Sequence, residues 1–149
     1  MEKKRALPPT YLFIAIVVMI LLHYLFPVAH IVAYPWRLLG GVPLLLGIAL
    51  NLMADKAFKI NYTTVKPFEE STVLITTGAF RVSRHPMYLG MVFILTGIGI
   101  LMGTLMPFLV IPVFVLLLDM MFVRIEERML ADIFGENWQE YQAKVRRWI

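Results

Sequence analysis

The sequence predicts an all-α integral membrane protein. Four transmembrane helices are expected, the third and fourth a helical hairpin, with a cytosolic loop and a C-terminal helical tail forming a pocket. Three observations predict it. Residues are 60% hydrophobic and only 16% charged, where a soluble domain is nearer half apolar and a quarter charged, and mean hydropathy is +0.76. The apolar residues are gathered in long uncharged runs. The basic residues fall almost entirely on one side of those runs.

The first run, residues 11–29, holds nineteen residues without a formal charge, enough to cross a hydrocarbon core about 30 Å thick. Lys3, Lys4 and Arg5 precede it. The run exceeds a signal-peptide core and no small-x-small cleavage site follows, so it reads as a retained span. The second run is 38–54. A third, 86–118, has thirty-three uncharged residues and would extend roughly 50 Å as one helix. It therefore reads as a tight hairpin turning at Gly103, Thr104 and Pro107, with spans 87–102 and 105–123. Pro112 removes a backbone donor and predicts a kink in the fourth span. The four spans form one domain, 1–149, without an internal repeat.

Charge counting sets the orientation. Four spans place thirteen of the fourteen Lys and Arg residues on one side, with Arg37 alone opposite. The positive-inside rule makes the basic side cytoplasmic, so both termini of this multi-pass protein are expected there. Three spans would send the basic tail outside. Gly40, Gly47, Gly90 and Gly97 recur at seven-residue spacing, and Gly99 pairs with Gly103. Such residues let helix backbones approach closely in lipid, and their faces also allow a homo-oligomer. The stretch "GIGILMG" follows no strand, so it is not read as a nucleotide loop.

The cytosolic loop, 55–84, carries Phe58, Tyr62, Phe68, Val73, Leu74, Ile75 and Phe80. That is too rich in aromatic and β-branched residues for a disordered linker, and it predicts a loop folded against the membrane face. The tail, "RIEERMLADIFGENWQEYQAKVRRWI", begins as a continuation of the fourth helix. Helical spacing puts Asp119, Glu126 and Leu130 on one face and Glu127 about 100° away. Asp119 lies within an apolar run and is expected to face protein or a wet cavity rather than lipid. After Gly135, a helix stop, Trp138, Tyr141 and Trp148 alternate with Lys144, Arg146 and Arg147. That pattern by itself reads as an interfacial anchor among lipid headgroups.

The chain has no cysteine, which excludes disulfides, thiolate nucleophiles and Cys-based metal sites. His23, His30 and His85 show no ligand spacing, so no metal is expected. The net charge of +4 is modest, and no nucleic-acid partner is expected. What stands out is "RVSRHPMYLG", 81–90. His85 before Pro86 is pushed towards extended backbone, and the third helix starts at the proline. Its free amides favour an anion, Tyr88 offers a ring and a hydroxyl, and Gly90 a bare backbone. Membrane-interface roles account for each residue separately. They leave unexplained the acidic pair Glu126–Glu127 at the same depth. Together these residues offer donors for a carboxylate, carboxylates for an ammonium, and aromatic surface for a flat ring. S-adenosylmethionine is one of several zwitterions that fit.

The order "TTVKPFEESTVLITTGAFRVSRHPMYLG", an apolar hairpin, then "RIEERMLADIFGENWQEYQAKVRRWI" resembles the isoprenylcysteine carboxyl methyltransferase family of integral membrane enzymes and the related phospholipid N-methyltransferases. The similarity runs from about Asn61 to the C-terminus. It implies an S-adenosylmethionine-dependent methyltransferase acting at the cytosolic membrane face on a lipid or lipophilic small molecule with a carboxyl, amine or thiol acceptor. Arg84, His85, Pro86, Tyr88 and Gly90 match the family's element at the cofactor, with Arg84 a catalytic candidate. Glu126 and Glu127 match the acidic pair at its methionine end. Tyr141 and Lys144 fall in the tail that closes over it, Lys144 standing where eukaryotic members carry a basic residue near the substrate. Two departures stand out: Gly78-Ala79-Phe80-Arg81 replaces Gly-Pro-aromatic-Arg, and Val145-Arg146 replaces Val-Pro. The second leaves the path of the tail open.

Methyl transfer from a sulfonium is an in-line displacement, in which positioning is worth about 7–11 kcal/mol. A carboxylate acceptor needs no general base, whereas an ammonium must lose a proton, and no residue is plainly a dedicated base. The cofactor is expected to enter from the cytosol and the acceptor sideways between helices. Asn51 and Asp119 are substrate-end candidates, weighed against plain interhelical contacts. Two alternatives remain. Membrane sterol and enone reductases share an Arg-His-Pro-x-Tyr-like element with NADPH, but often place an acid after the Tyr-Gly part, where this chain has Met91 and Val92. A non-catalytic four-helix module or transporter would carry ionisable groups near midplane, and Asp119 is the one acid within the spans.

Overall fold

The structure, a computed structural model, describes residues 7–63 and 71–149. Lys3, Lys4, Arg5, Lys66 and Phe68 lie outside the described residues. The helices are α1 (Pro8–Leu25), α2 (Gly41–Ile60), α3 (Pro86–Met102), α4 (Leu105–Phe108), α5 (Val110–Leu118), α6 (Arg124–Phe134) and α7 (Glu136–Lys144). Short 3₁₀ turns lie at Trp36–Gly40 and Gly78–Arg81, and a π turn, Asp119–Val123, joins α5 to α6. Among the described residues, three helical stretches are long and apolar enough to cross a membrane: Pro8–Leu25, Trp36–Ile60 and Leu105–Phe134. The expected third span is the shorter apolar helix Pro86–Met102, of 17 residues.

Helix α1 begins on Pro8 and Pro9, whose fixed φ suits a first turn. It buries Ala15 and Met19 against the core and leaves Phe13, Ile14 and Leu21 outward. Helix α2 runs to Ile60, further than the apolar run 38–54, because Asp55 and Lys59 are paired at 2.6 Å across one turn. The expected turn is present: Gly103 caps α3 at φ 73°, a left-handed conformation that suits glycine. The link between α1 and α2 docks on it, with Ile31 N and Val32 N donating to Gly103 O at 2.9 and 3.1 Å. Pro112 acts one turn earlier: it lacks the N–H that Phe108 O would accept, and the α-helical bonding is interrupted at Leu109, between α4 and α5, while Leu109 keeps helical φ −66° and ψ −24°.

The closest helix pair is α2 with α3, packed antiparallel so that Gly40 meets Gly97 and Gly47 meets Gly90. A Cβ on Gly97 would lie 2.6 Å from both Gly40 O and Leu44 N, and one on Gly90 would overlap the Asn51 amide. The glycine faces that allowed a homo-oligomer are used inside the chain.

The described part of the loop after residue 70 folds back, as expected of its apolar residues. Ile75, Ala79 and Phe80 are buried, and Phe58 meets Phe80 edge-on at 5.5 Å, although Tyr62 and Val73 stay exposed. The tail departs from a surface anchor. Trp138 and Tyr141 are buried with the loop, and Trp148 packs against the helix core. Burying those rings removes far more apolar surface from water than lying in headgroups would.

Gly97→Ala is predicted to force α2 and α3 apart and lower stability by about 1–3 kcal/mol. Gly41→Ala, with open space at its Cβ, should be neutral or slightly stabilising. Thermal unfolding of the two detergent-purified variants checks the contrast.

Candidate functional site

Between the start of α1, the strap 71–85, the start of α3 and the α6–α7 corner lies a cavity of about 220 Å³. Its polar side presents Arg84, His85, Tyr88 and Glu126, and its walls are apolar, among them Phe80, Met91, Leu130 and Trp138.

Local backbone chemistry builds the polar side. Pro86 opens α3, and His85 sits just outside the helix with φ −126° and ψ 62°, away from the helical region but short of the extended backbone expected before proline. Its backbone N–H donates to Ser83 Oγ at 3.1 Å. Ser83 Oγ in turn donates to Arg147 O at 3.0 Å, and Arg84 N donates to Arg146 O at 3.1 Å. The strap is thus tied to the chain's last residues by main-chain groups. Tyr141 on α7 ties it again, its hydroxyl donating to Phe80 O at 2.7 Å. Burial pushes the Tyr141 phenol up to about 12, against the opposing pull of Arg84, so it is a neutral donor.

Glu127 lies at the centre, with its side chain 9% exposed. Its Oε1 receives Arg84 Nη2 at 3.0 Å, Arg147 Nε at 3.2 Å and His85 Nε2 at 3.4 Å, and its Oε2 receives Arg147 Nη2 at 2.6 Å. Glu126 takes the other ring nitrogen, His85 Nδ1 at 3.4 Å, and accepts a hydrogen bond from the Tyr88 hydroxyl. The His85 and Tyr88 rings stack, with centroids 5.7 Å apart. A neutral imidazole would turn a bare nitrogen towards one carboxylate, whereas the doubly protonated ring donates to both. Burial opposes that charge, but the hydrogen bonds and charges of Glu126 and Glu127 outweigh it and raise the His85 pKa above 6.5.

Arg84 is deeply buried, its guanidinium 5.6 Å from the Trp138 ring centroid, and its Nε has no hydrogen-bond partner. An unpaired buried donor is costly, and Arg84 is one of the residues that line the cavity.

The sequence-predicted residues separate into three groups. Arg84, His85, Pro86, Tyr88, Glu126 and Tyr141 line the cavity. Glu127 stands behind them, saturated by cations. Gly90, Asn51, Asp119 and Lys144 do not line it. Gly90 and Asn51 meet in the α2–α3 contact, where Asn51 Nδ2 donates to Gly47 O at 2.9 Å. Lys144 is 76% exposed on α7, 4.0 Å from Glu140, beside a separate shallow groove. Asp119 does face protein, pairing with Arg124 at 2.7 Å and Arg147 at 3.3 Å. Its expected alignment with Glu126 needs correction. The π turn bonds i to i+5 and takes an extra residue, so i+8 comes into register instead of i+7, and Asp119 shares Arg147 with Glu127.

Sequence reasoning missed Arg147 and Trp138 as parts of this site. Charge balance was the available signal for the first: acids in or near an apolar span require cations within reach.

The raised His85 pKa has a defined sign. Its stabilisation is complete below about pH 6.5, the unfolded value, and is lost as pH rises through the folded one. Wild-type protein should therefore lose thermal stability with rising pH above that point, and His85→Gln should flatten this dependence.

The family model described as phospholipid methyltransferase matches residues 36–137. Protein-S-isoprenylcysteine O-methyltransferase of Saccharomyces cerevisiae is 38% identical over 80 residues, 52% of this chain and 32% of that protein. An uncharacterized protein of Haemophilus influenzae is 32% identical over 63 residues, 42% of this chain and all of that protein. The solved structure of the eukaryotic intramembrane Ras methyltransferase, isoprenylcysteine carboxyl methyltransferase, superimposes with a TM-score of 0.65 at 28% identity, covering 95% of this chain and 51% of that one. The chain thus spans about a third of the yeast relative and half of the solved one. The family model takes in α2, α3, the strap and the α5–α6 helix with its acidic pair, and the chain belongs to the phospholipid methyltransferase family.

Proposed function

We propose that this protein is an S-adenosylmethionine-dependent methyltransferase that modifies a lipophilic acceptor at the cytosolic membrane face. The observation that carries this is that the buried Arg84 and the Glu126 carboxylate both line the polar side of one apolar-walled cavity. One donor and one acceptor of opposite charge, with the Trp138 and Phe80 rings nearby, suit an amino-acid end joined to a flat ring system. The yeast relative is named for O-methylation of isoprenylcysteine and the solved relative for methylation of Ras, which supports a lipophilic acceptor.

The donor set fits the group. Arg84 would hold its carboxylate, the free lone pairs of Glu126 its ammonium, and Trp138 with Phe80 and the Tyr141 ring its flat face. The cavity, about 220 Å³, is open on one side rather than sealed, so a ligand larger than that volume can extend beyond it. When bound, S-adenosylmethionine supplies an electrophilic methyl on a sulfonium. The chain supplies orientation and dryness. Met87, Met91, Leu130 and Ile133 form the wall along which a lipophilic acceptor lies. The cluster carboxylates already face cations and serve no acceptor proton, which favours an acceptor that arrives ionised. Glu127 acts behind the cavity, holding Arg84 and His85. Asn51 and Asp119 serve packing and pairing, and Lys144 stays outside the chemistry.

The reading includes four spans with both termini cytoplasmic. Pro86–Met102 lies against α2 along its glycines, and 17 residues make a helix of about 25 Å, near the thickness of a bilayer core. Counting it as a span puts the site's arginines on the basic side.

Calorimetric binding to detergent-purified protein tests the proposal. S-adenosylmethionine should bind and NADPH should not; Arg84→Gln should weaken binding more than about tenfold, and Lys144→Ala by less than about twofold. Binding of NADPH alone, or of neither ligand to folded protein, overturns it.

A further inference from the structure

Arg147 has no assigned part in the site, yet it joins two carboxylates of the cluster to the tail. Its guanidinium grips Glu127 at two points, Nε to Oε1 at 3.2 Å and Nη2 to Oε2 at 2.6 Å, and its Nη1 reaches Asp119 Oδ1 at 3.3 Å. The planar fork satisfies two carboxylates on one helix, which a lysine ammonium cannot do with the same geometry. Asp119 is brought into this register by the π turn, and is held from its other side by Arg124 at 2.7 Å. The Arg147 main chain meanwhile accepts Ser83 Oγ, the group that also receives the His85 amide.

We propose that Arg147 is a positioning residue: anchored on Asp119, it fixes the rotamer of Glu127 and thereby the placement of Arg84 and His85 at the cavity. The proposal rests on the methyltransferase reading for what the cavity binds, but not for the geometry itself. Without the bidentate grip, Glu127 keeps Arg84 and His85 as partners but gains freedom to turn. The tail stays docked, because Trp148 packs in the helix core and Arg84 N still bonds Arg146 O.

The groups facing His85 are Glu126 and Glu127 from α6 and Tyr88 from α3, with Arg84 next to it in the strap and Arg147 of the tail on the shared carboxylate of Glu127. Removing Arg147 removes a cation that competes for Glu127, so the His85 titration should move upward. Had the residue been only a clasp, the tail would detach, His85 would meet water, and its titration would fall towards the ordinary value of about 6.5.

The test uses the full chain with isotope-labelled histidine in detergent micelles. In Arg147→Gln, the His85 imidazole pKa measured by NMR should rise and S-adenosylmethionine binding should weaken by about tenfold, with Arg147→Lys restoring only part of the binding. An unmoved His85 titration, a downward one, or full rescue by lysine overturns the proposal. If wild-type protein binds no S-adenosylmethionine while His85 still shifts upward in Arg147→Gln, the cofactor reading falls and the positioning role stands.

Discussion

A carboxylate cannot be placed in a medium of low dielectric without partners, and Glu127 is placed there. Arg84, His85 and Arg147 meet it from two separate parts of the chain, the strap before α3 and the last residues of the tail. Leaving one such buried partner unpaired typically costs about 3–5 kcal/mol. The strap and the tail are therefore not free to settle independently. Each brings cations that the same carboxylate requires, and the bonds from the Ser83 hydroxyl and the Arg84 amide to carbonyls of the tail accompany that convergence. The cavity is what remains between elements so placed.

The convergence needs a fixed height on the membrane axis, which the α2–α3 contact supplies. With glycine against glycine at two levels, the helices can slide only by driving a side chain into a backbone. The first turn of α3, carrying Pro86 and Tyr88, is thus held at a set level against α2, opposite the acidic pair on the fourth helical stretch. Close packing of this kind transmits position over the length of a helix.

Much of this was legible in the sequence. Uncharged runs located the helices, the glycine spacing marked a packing face, Gly103 marked the turn, and Arg84, His85, Tyr88 and Glu126 were identified before their contacts were seen. What was not legible depended on register or on distant pairing. Nothing local announces the π turn at Asp119–Val123, since its residues are ordinary span residues, yet it decides which acids share a face. Arg147 looked like a headgroup cation because its partners are 20 and 28 positions away. The aromatics of α7 were ambiguous for a similar reason: the same amphipathic pattern serves a lipid surface and a protein groove. Helix α2 outran its apolar run because polar residues paired within the helix.

The bond from Arg84 N to Arg146 O uses only a carbonyl at position 146. Proline also has a carbonyl there, and Val145 before it is already extended, with φ −123° and ψ 129°, as a residue preceding proline must be. A Val-Pro and a Val-Arg tail are thus equivalent wherever the contact is made by the main chain. The departure that seemed to unsettle the path of the tail is silent at the level of hydrogen bonding, so position 146 can change its side chain without changing what it holds.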